Sequence, residues 1–172
     1  MLLKSLGINF EVRTKDVNEN FPGDMDKEKI PVYLAEIKAK AFLSGLSGND
    51  LLITADTIVW HNGNVLGKPI NFENARQMLY GLSGKEHEVI SGVSLSSAKK
   101  RRSFISKSVV CFKELTSNEI DYYITHYNPF DKAGAYGIQE WIGYIGITRI
   151  EGSFYNVMGL PIQELYTEIL NF

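Results

Sequence analysis

Residues 51–69 read LLITADTIVWHNGNVLGKP, and a carboxylate, Asp56, stands in the middle of their apolar run. Five of the first nine residues are Leu, Ile or Val, the composition of a strand buried in a sheet. A charge there is costly unless it is paired, bound to a metal, or placed at a strand end over a cleft. His61-Asn62-Gly63-Asn64 then supplies an Asn-Gly turn, the strongest short-range hairpin signal. A hairpin at that turn would bring Lys68 back toward Asp56 and put a carboxylate and an ammonium in one pocket.

Working outward, the 172 residues suffice for one domain, or for two lobes around a shared sheet, with a sizeable core. The chain is 44% hydrophobic, 12% aromatic and 22% charged, with a net charge of −2. That balance gives no broad electrostatic surface for nucleic acid, so no nucleic-acid partner is expected. The one basic run, Lys99-Lys100-Arg101-Arg102, lies between strand-like segments and reads as a solvated turn, with a phosphate patch as the minority reading. A single cysteine, Cys111 in VVCF, excludes an intramolecular disulfide, suits a reducing compartment and reads as a small buried hydrophobe. No apolar run is long enough to span a membrane and no signal peptide is evident, so a cytoplasmic protein without a membrane partner is expected.

Along the chain, LLKSL reads as the end of an amphipathic helix stopped by Gly7, and INFEV as a strand. Residues 14–30 are polar and loop-like. Pro31 opens a helix, PVYLAEIKAKAFLSG, ending near Gly45. NFENARQMLYGLSG has a helical apolar face of Phe72, Ala75, Met78, Leu79 and Leu82, with Gly84 as its stop. HEVISGVSLSS and SFISKSVVCF read as two strands flanking the basic turn. Thr116-Ser117-Asn118-Glu119 is a capping box opening the helix IDYYITHY, and a last helix starts near Pro161. Strands and helices mix without strict alternation and without a repeat, which predicts one α/β or α+β domain with a mixed sheet.

The usual catalytic signatures are absent. GNVLGKP is one residue short of a phosphate loop, and Pro69 stands where Ser or Thr would bind magnesium. His61, His87 and His126 have no zinc-like spacing. What remains is a set of acids and lysines: Glu19 in DVNEN, Lys38 on the first full helix, Asp56, Lys68, and Asp131-Lys132 opening DKAGAYGIQ. Carboxylates hold a hard cation such as magnesium, lysines neutralise phosphates, and a carboxylate beside the metal takes a proton from attacking water. Taken singly, Glu19 reads as a solvated loop residue, Lys38 and Lys40 as solvent-facing helix charges, and Asp131 as a turn residue with Lys132 as its partner. Gln139, in a Gly-rich loop, either satisfies backbone groups or presents its amide to a base edge. Asp56 alone has no cheap structural explanation.

Together the segments ADTIV, LGKP, LSG, HEV-x-SGV, DKAGAYGIQ and RIEGS-x-x-NV-x-GLP, in that order, resemble the Maf family of nucleotide pyrophosphatases. LGKP alone is weak; the ordered set covers nearly the whole chain. The resemblance implies an α/β fold of inosine triphosphatase type: a mixed twisted sheet with flanking helices, and two lobes around a cleft. It implies hydrolysis of a nucleoside triphosphate to monophosphate and pyrophosphate with a divalent metal, magnesium or manganese.

On these residues the resemblance makes Asp56 the proton acceptor, Lys38 and Lys68 the triphosphate-binding lysines, and Glu19, with Asp56, the metal-binding acids. ADT and GIQ resemble the branch acting on dTTP and UTP, with Thr57 and Gln139 at the specificity positions and removal of modified pyrimidine nucleotides as the role. The family also suggests a homodimer, for which EWIGYIG offers an aromatic surface. Family members begin with a strand and a Ser-x-Ser-Pro-Arg-Arg motif that this chain does not contain; LLKSLGINFEV aligns with the family segment just after that motif. The expectation is therefore a single Maf-like domain over residues 1–172 that lacks its first strand and phosphate-binding loop. Two readings compete with a pyrimidine pyrophosphatase. One is a non-catalytic nucleotide-binding or division-regulating protein, which the absent motif favours; the other is a purine house-cleaning enzyme, which ADT and GIQ disfavour.

Overall fold

The computed structural model describes residues 2–172. Five strands form one sheet in the order β2-β1-β3-β4-β5. They are β1 Leu52–His61, β2 Asn64–Leu66, β3 Glu86–Ser96, β4 Arg101–Phe112 and β5 Ile147–Glu151. The helices are α1 Lys29–Lys40, α2 Phe72–Leu82, α3 Ser117–Tyr127, α4 Trp141–Gly146, α5 Phe154–Val157 and α6 Ile162–Leu170. The chain divides into two units. Unit 1 holds the segment ending at Thr57 with Ser91–Ser106 and Gly159–Phe172; unit 2 holds Ile58–Ile90 and Lys107–Met158. The boundary therefore falls inside β1, β3 and β4.

The hairpin forms where the Asn-Gly pair requires it. Asn62 (φ 48°) and Gly63 (φ 80°) both take the left-handed conformation of a two-residue turn. They leave the register Val59↔Leu66, Trp60↔Val65 and His61↔Asn64. β3 and β4 are joined by a turn closed when the Ser97 N–H donates to the Lys100 carbonyl at 2.8 Å. Where the sequence suggests a mixed sheet, both edge pairings, β1 with β2 and β4 with β5, are antiparallel.

In unit 1, α1 buries Ile30, Leu34, Ala35 and Ala39, a helical stripe. It starts two residues before Pro31, which falls in the first turn, where a missing N–H costs nothing. It ends at Lys40; residues Leu43–Gly45 form a separate 3₁₀ turn. β3 lies against its first turn so closely that a Cβ on Gly92 would come 2.2 Å from the Val32 nitrogen. A second cluster in this unit joins Val93, Leu95 and Leu165, with Ile53, Ala55 and Leu160 packed on it. INFEV forms no strand: residues 8–20 have no regular element, and Val12 is exposed. Alternation alone does not make a strand when no neighbouring edge pairs with it.

In unit 2, α2 and α3 pack over the main core, which includes Leu79, Leu82, Val89, Ile120, Tyr123 and Ile142. Asn71 caps α2 by accepting from the Asn74 N–H at 2.8 Å, and Gly84 (φ 68°) follows its end as the sequence predicts. The capping box of α3 is present in full, with Thr116 and Glu119 each accepting from the other's backbone N–H.

Candidate active site

The carboxylate of β1 is paired. In unit 1 the Lys38 ammonium, from the last turn of α1, donates to Asp56 Oδ1 and lies 3.0 Å from Glu19 Oε1. The exposure of the three side chains falls from Glu19 (52%) through Lys38 (27%) to Asp56 (14%), so the cluster opens to solvent on the Glu19 side. Burial alone would lower the Lys38 pKa, but the Asp56 and Glu19 carboxylates outweigh it and hold the ammonium above its usual value. Residues spread over 38 positions of sequence thus converge on one charge, which answers why an apolar strand carries Asp56.

Successive side chains of a strand face opposite sides of the sheet. Asp56 and Thr54 share the α1 side, where the Thr54 hydroxyl donates to the Ala35 carbonyl at 2.7 Å. Thr57 belongs with Ile53 and Ala55 on the other side, the side of Leu165. Its Oγ1 lies 2.7 Å from Ser91 Oγ and donates to the Gly159 carbonyl at 3.3 Å. Ser91 is wholly buried and was not singled out in the sequence, because a serine in an apolar strand carries no signal of its own.

Lys68 and Gln139 belong to unit 2. Lys68 is exposed, two residues beyond the last pair of the hairpin ladder; the direct Lys132 bond is the main cause that holds the Asp131 carboxyl below its usual range, and the Lys68 charge adds the smallest share. The loop 131–140 is tied to the same segment when the Gly134 N–H donates to the Gly67 carbonyl at 3.1 Å. Within the loop, Lys132 reaches both Asp131 (2.8 Å) and Glu140 (3.1 Å). The Tyr123 phenol donates to Glu140 and accepts the Gly137 N–H at 2.9 Å. Gln139 is exposed beside this network, its backbone carbonyl accepting from the Tyr144 phenol at 2.9 Å. Tyr123 and Glu140 were also missed: one reads as core on an amphipathic helix, the other as a solvated neighbour of Gln139.

The basic turn is engaged within unit 1. Lys100 donates to the Phe172 carbonyl at 3.0 Å, and Arg102 pairs with Glu168 at 2.5 Å, which leaves the solvated-turn reading for the exposed Lys99 and Arg101. Among the described residues no group of three or more His, Cys, Asp or Glu side chains is arranged to hold a metal ion. Glu19 and Asp56 nonetheless place two hard oxygen donors around one positive charge. That donor set fits magnesium or manganese, which keep several waters and share themselves with phosphates.

The family described as Maf-like protein matches residues 1–172. The chain belongs to that family. Curated relatives carry the name dTTP/UTP pyrophosphatase. That of Phocaeicola vulgatus is 54% identical over 169 residues, 98% of this chain and 88% of the relative. That of Parabacteroides distasonis is 52% identical over 172 residues, 99% and 89% of the two chains. That of Porphyromonas gingivalis strain W83 is 51% identical over 174 residues, 99% and 87%. The α/β fold with a five-stranded sheet and flanking helices agrees with membership in the Maf family. Among the described residues no helix is long and apolar enough to cross a membrane.

Proposed function

We propose that this chain is a nucleoside triphosphate pyrophosphatase acting on dTTP and UTP. The observation that carries the reading is the convergence of Glu19, Lys38 and Asp56 in a Maf chain about half identical to relatives of that name. Water attacks the α-phosphorus, a new P–O bond forms, and the bridge to the β-phosphorus breaks, releasing pyrophosphate. Asp56 is the group that accepts the water's proton. Lys38, held protonated by the two acids, keeps that carboxylate aimed and offers positive charge to the phosphates. Lys68 is the second phosphate-binding lysine. Gln139 presents its amide toward the pyrimidine, and Thr57 completes the specificity set. Glu19 and Asp56 would hold a magnesium or manganese ion, which would neutralise the triphosphate and make a bound water more acidic.

We place the enzyme in the cytoplasm, removing pyrimidine nucleotides before polymerases use them, and as a homodimer whose contact includes the exposed Tyr144 of α4. The test is pyrophosphate release from dTTP and UTP with magnesium, then with Asp56→Asn. Release by the wild-type chain that falls by at least about a thousandfold in Asp56→Asn is expected. A folded wild-type chain that binds nucleotide without releasing pyrophosphate would instead make it a binding protein.

A further inference from the structure

Glu19 reaches Lys38 from a segment with little to hold it. Residues 8–20 contain no helix or strand, and residues 9–16 and 18–20 are exposed, so packing does not fix where the Glu19 carboxylate goes. An ion pair to a half-exposed acid adds little by itself. The fixed point is Lys15. Its ammonium donates to the Ala41 carbonyl at 2.5 Å and lies 4.9 Å from the centre of the Phe42 ring. Ala41 is the C-cap of α1, where a helix leaves carbonyls without intrahelical partners and its dipole favours a cation. Carbonyl and ring both attract the same ammonium. Arg13, the segment's other cation, pairs with Glu11 at 2.9 Å inside the segment.

Lys38 stands in the last turn of α1, three residues before Ala41. The four residues from Lys15 to Glu19 reach at most about 14 Å, so a Lys15 clipped to the helix end keeps Glu19 within range of Lys38. The chain tightens on the way, where Asn18 Oδ1 accepts from the Asn20 N–H at 3.0 Å and turns the backbone at Glu19. We propose that Lys15 is a positioning residue: clipped to the C-terminal end of α1, it holds the Glu19 carboxylate beside Lys38 and so sets how tightly Glu19 and Asp56 hold a divalent cation. The proposal rests on the pyrophosphatase reading and on its assignment of Glu19 to the cation. Glu19 and Asp56 can share a cation only in the fraction of molecules whose segment is docked, and the apparent affinity falls with that fraction. Lys15 acts through the segment it fastens.

Lys15→Met keeps the length of the side chain and removes its charge, and Lys15→Arg restores a cation. The full chain and each variant are digested briefly with a protease that cleaves after glutamate. They are also titrated with Mn²⁺, with and without α,β-imido-UTP, by paramagnetic resonance, and assayed for pyrophosphate release from dTTP across a range of Mn²⁺ concentrations. In Lys15→Met, cleavage after Glu19 is expected to quicken by roughly 5- to 20-fold, the worth of a helix-end cation together with its ring contact. The half-saturating Mn²⁺ concentration rises by the same factor in binding and in hydrolysis. The KM for dTTP at saturating Mn²⁺ does not move, and the melting temperature stays within about 2 °C, as for an exposed substitution. Lys15→Arg returns each value to that of the wild type, and Lys15→Met adds nothing to the Mn²⁺ requirement of Glu19→Gln. Unchanged cleavage after Glu19 in Lys15→Met would overturn the anchor, and so would faster cleavage with an unchanged Mn²⁺ requirement. A lower melting temperature with an equal fall in rate at every Mn²⁺ concentration would overturn it too, making Lys15 a support of the fold alone. A folded wild-type chain that neither binds Mn²⁺ nor releases pyrophosphate removes the pyrophosphatase reading and the proposal with it. A wild-type chain that does both, with Lys15→Met unaffected, removes the proposal alone.

Discussion

Lys38 is one ammonium serving two acids, and its chemistry follows from that ratio. Replacing it by Met would leave Asp56 and Glu19 facing each other without the charge between them. Loss of a charge-assisted contact of about 1.5–3 kcal/mol should lower kcat/KM for dTTP by roughly 10- to 100-fold in steady-state assays. The pH dependence has a definite sign. A lysine held above its ordinary value of 10.5 stabilises the fold fully below that value, and the benefit is lost only as pH rises past it. The difference in melting temperature between wild type and Lys38→Met should hold from neutrality to about pH 10 and close in stronger alkali. Asp56 was legible in the sequence because a carboxylate inside ITADTIV demands a partner. Ser91 was not, because its partner, the Thr57 hydroxyl, lies 34 positions away in the chain.

The loop 131–140 shows the same physics at the level of an element. Its backbone turns through Gly134 (φ 69°) and Ala135 (φ 61°), and it is held by side chains, since the segment offers no long helix or strand. Tyr123 is the central tie. Burial and then the Glu140 carboxylate push its phenol far above its usual range, so it remains a donor at every working pH. Tyr123→Phe removes the bond to Glu140 and leaves the Gly137 N–H without its acceptor. We expect a loss of roughly 2–4 kcal/mol in urea unfolding, with a raised KM for UTP if the loop presents Gln139. The elements most clearly written in the sequence were those with local punctuation: the Asn-Gly hairpin, α2 ending before Gly84, and the capping box of α3. INFEV failed because a strand is defined by a neighbour, and five alternating residues carry no information about whether one exists. The contacts of Tyr123 were hidden for a related reason, since its partners lie 14 and 17 residues along the chain.

Across the whole molecule, one buried titratable group ties stability to acidity. His87 is 3% exposed; it stacks on Phe112 at 5.7 Å, meets Tyr136 edge-on, and places Nε2 2.7 Å from the Tyr136 phenol. Burial, with a smaller contribution from His61, lowers its pKa from the ordinary 6.5 to about 4. A depressed value leaves stability complete above pH 6.5 and removes it as pH falls through about 4, because the unfolded chain takes up the proton first. The loss amounts to roughly 3 kcal/mol. His87→Gln, which does not titrate, should flatten the fall of melting temperature between pH 6.5 and 4 that scanning calorimetry records for the wild type.

A ribosome delivers the two units unequally. Every residue of unit 2 lies at or before Met158, so Leu79, Tyr123 and Ile142 can meet as soon as that point has left the exit tunnel. Unit 1 is threaded through the whole message. Val93 and Leu95 are made early and wait uncovered until Leu165 of α6 arrives. The segment that supplies the Gly159 carbonyl behind Thr57 arrives at the same late moment. The unit that carries Glu19, Lys38 and Asp56 is thus the unit finished last, and a nascent chain stalled before α6 would hold the complete core of unit 2 while Val93 and Leu95 of unit 1 still lacked Leu165.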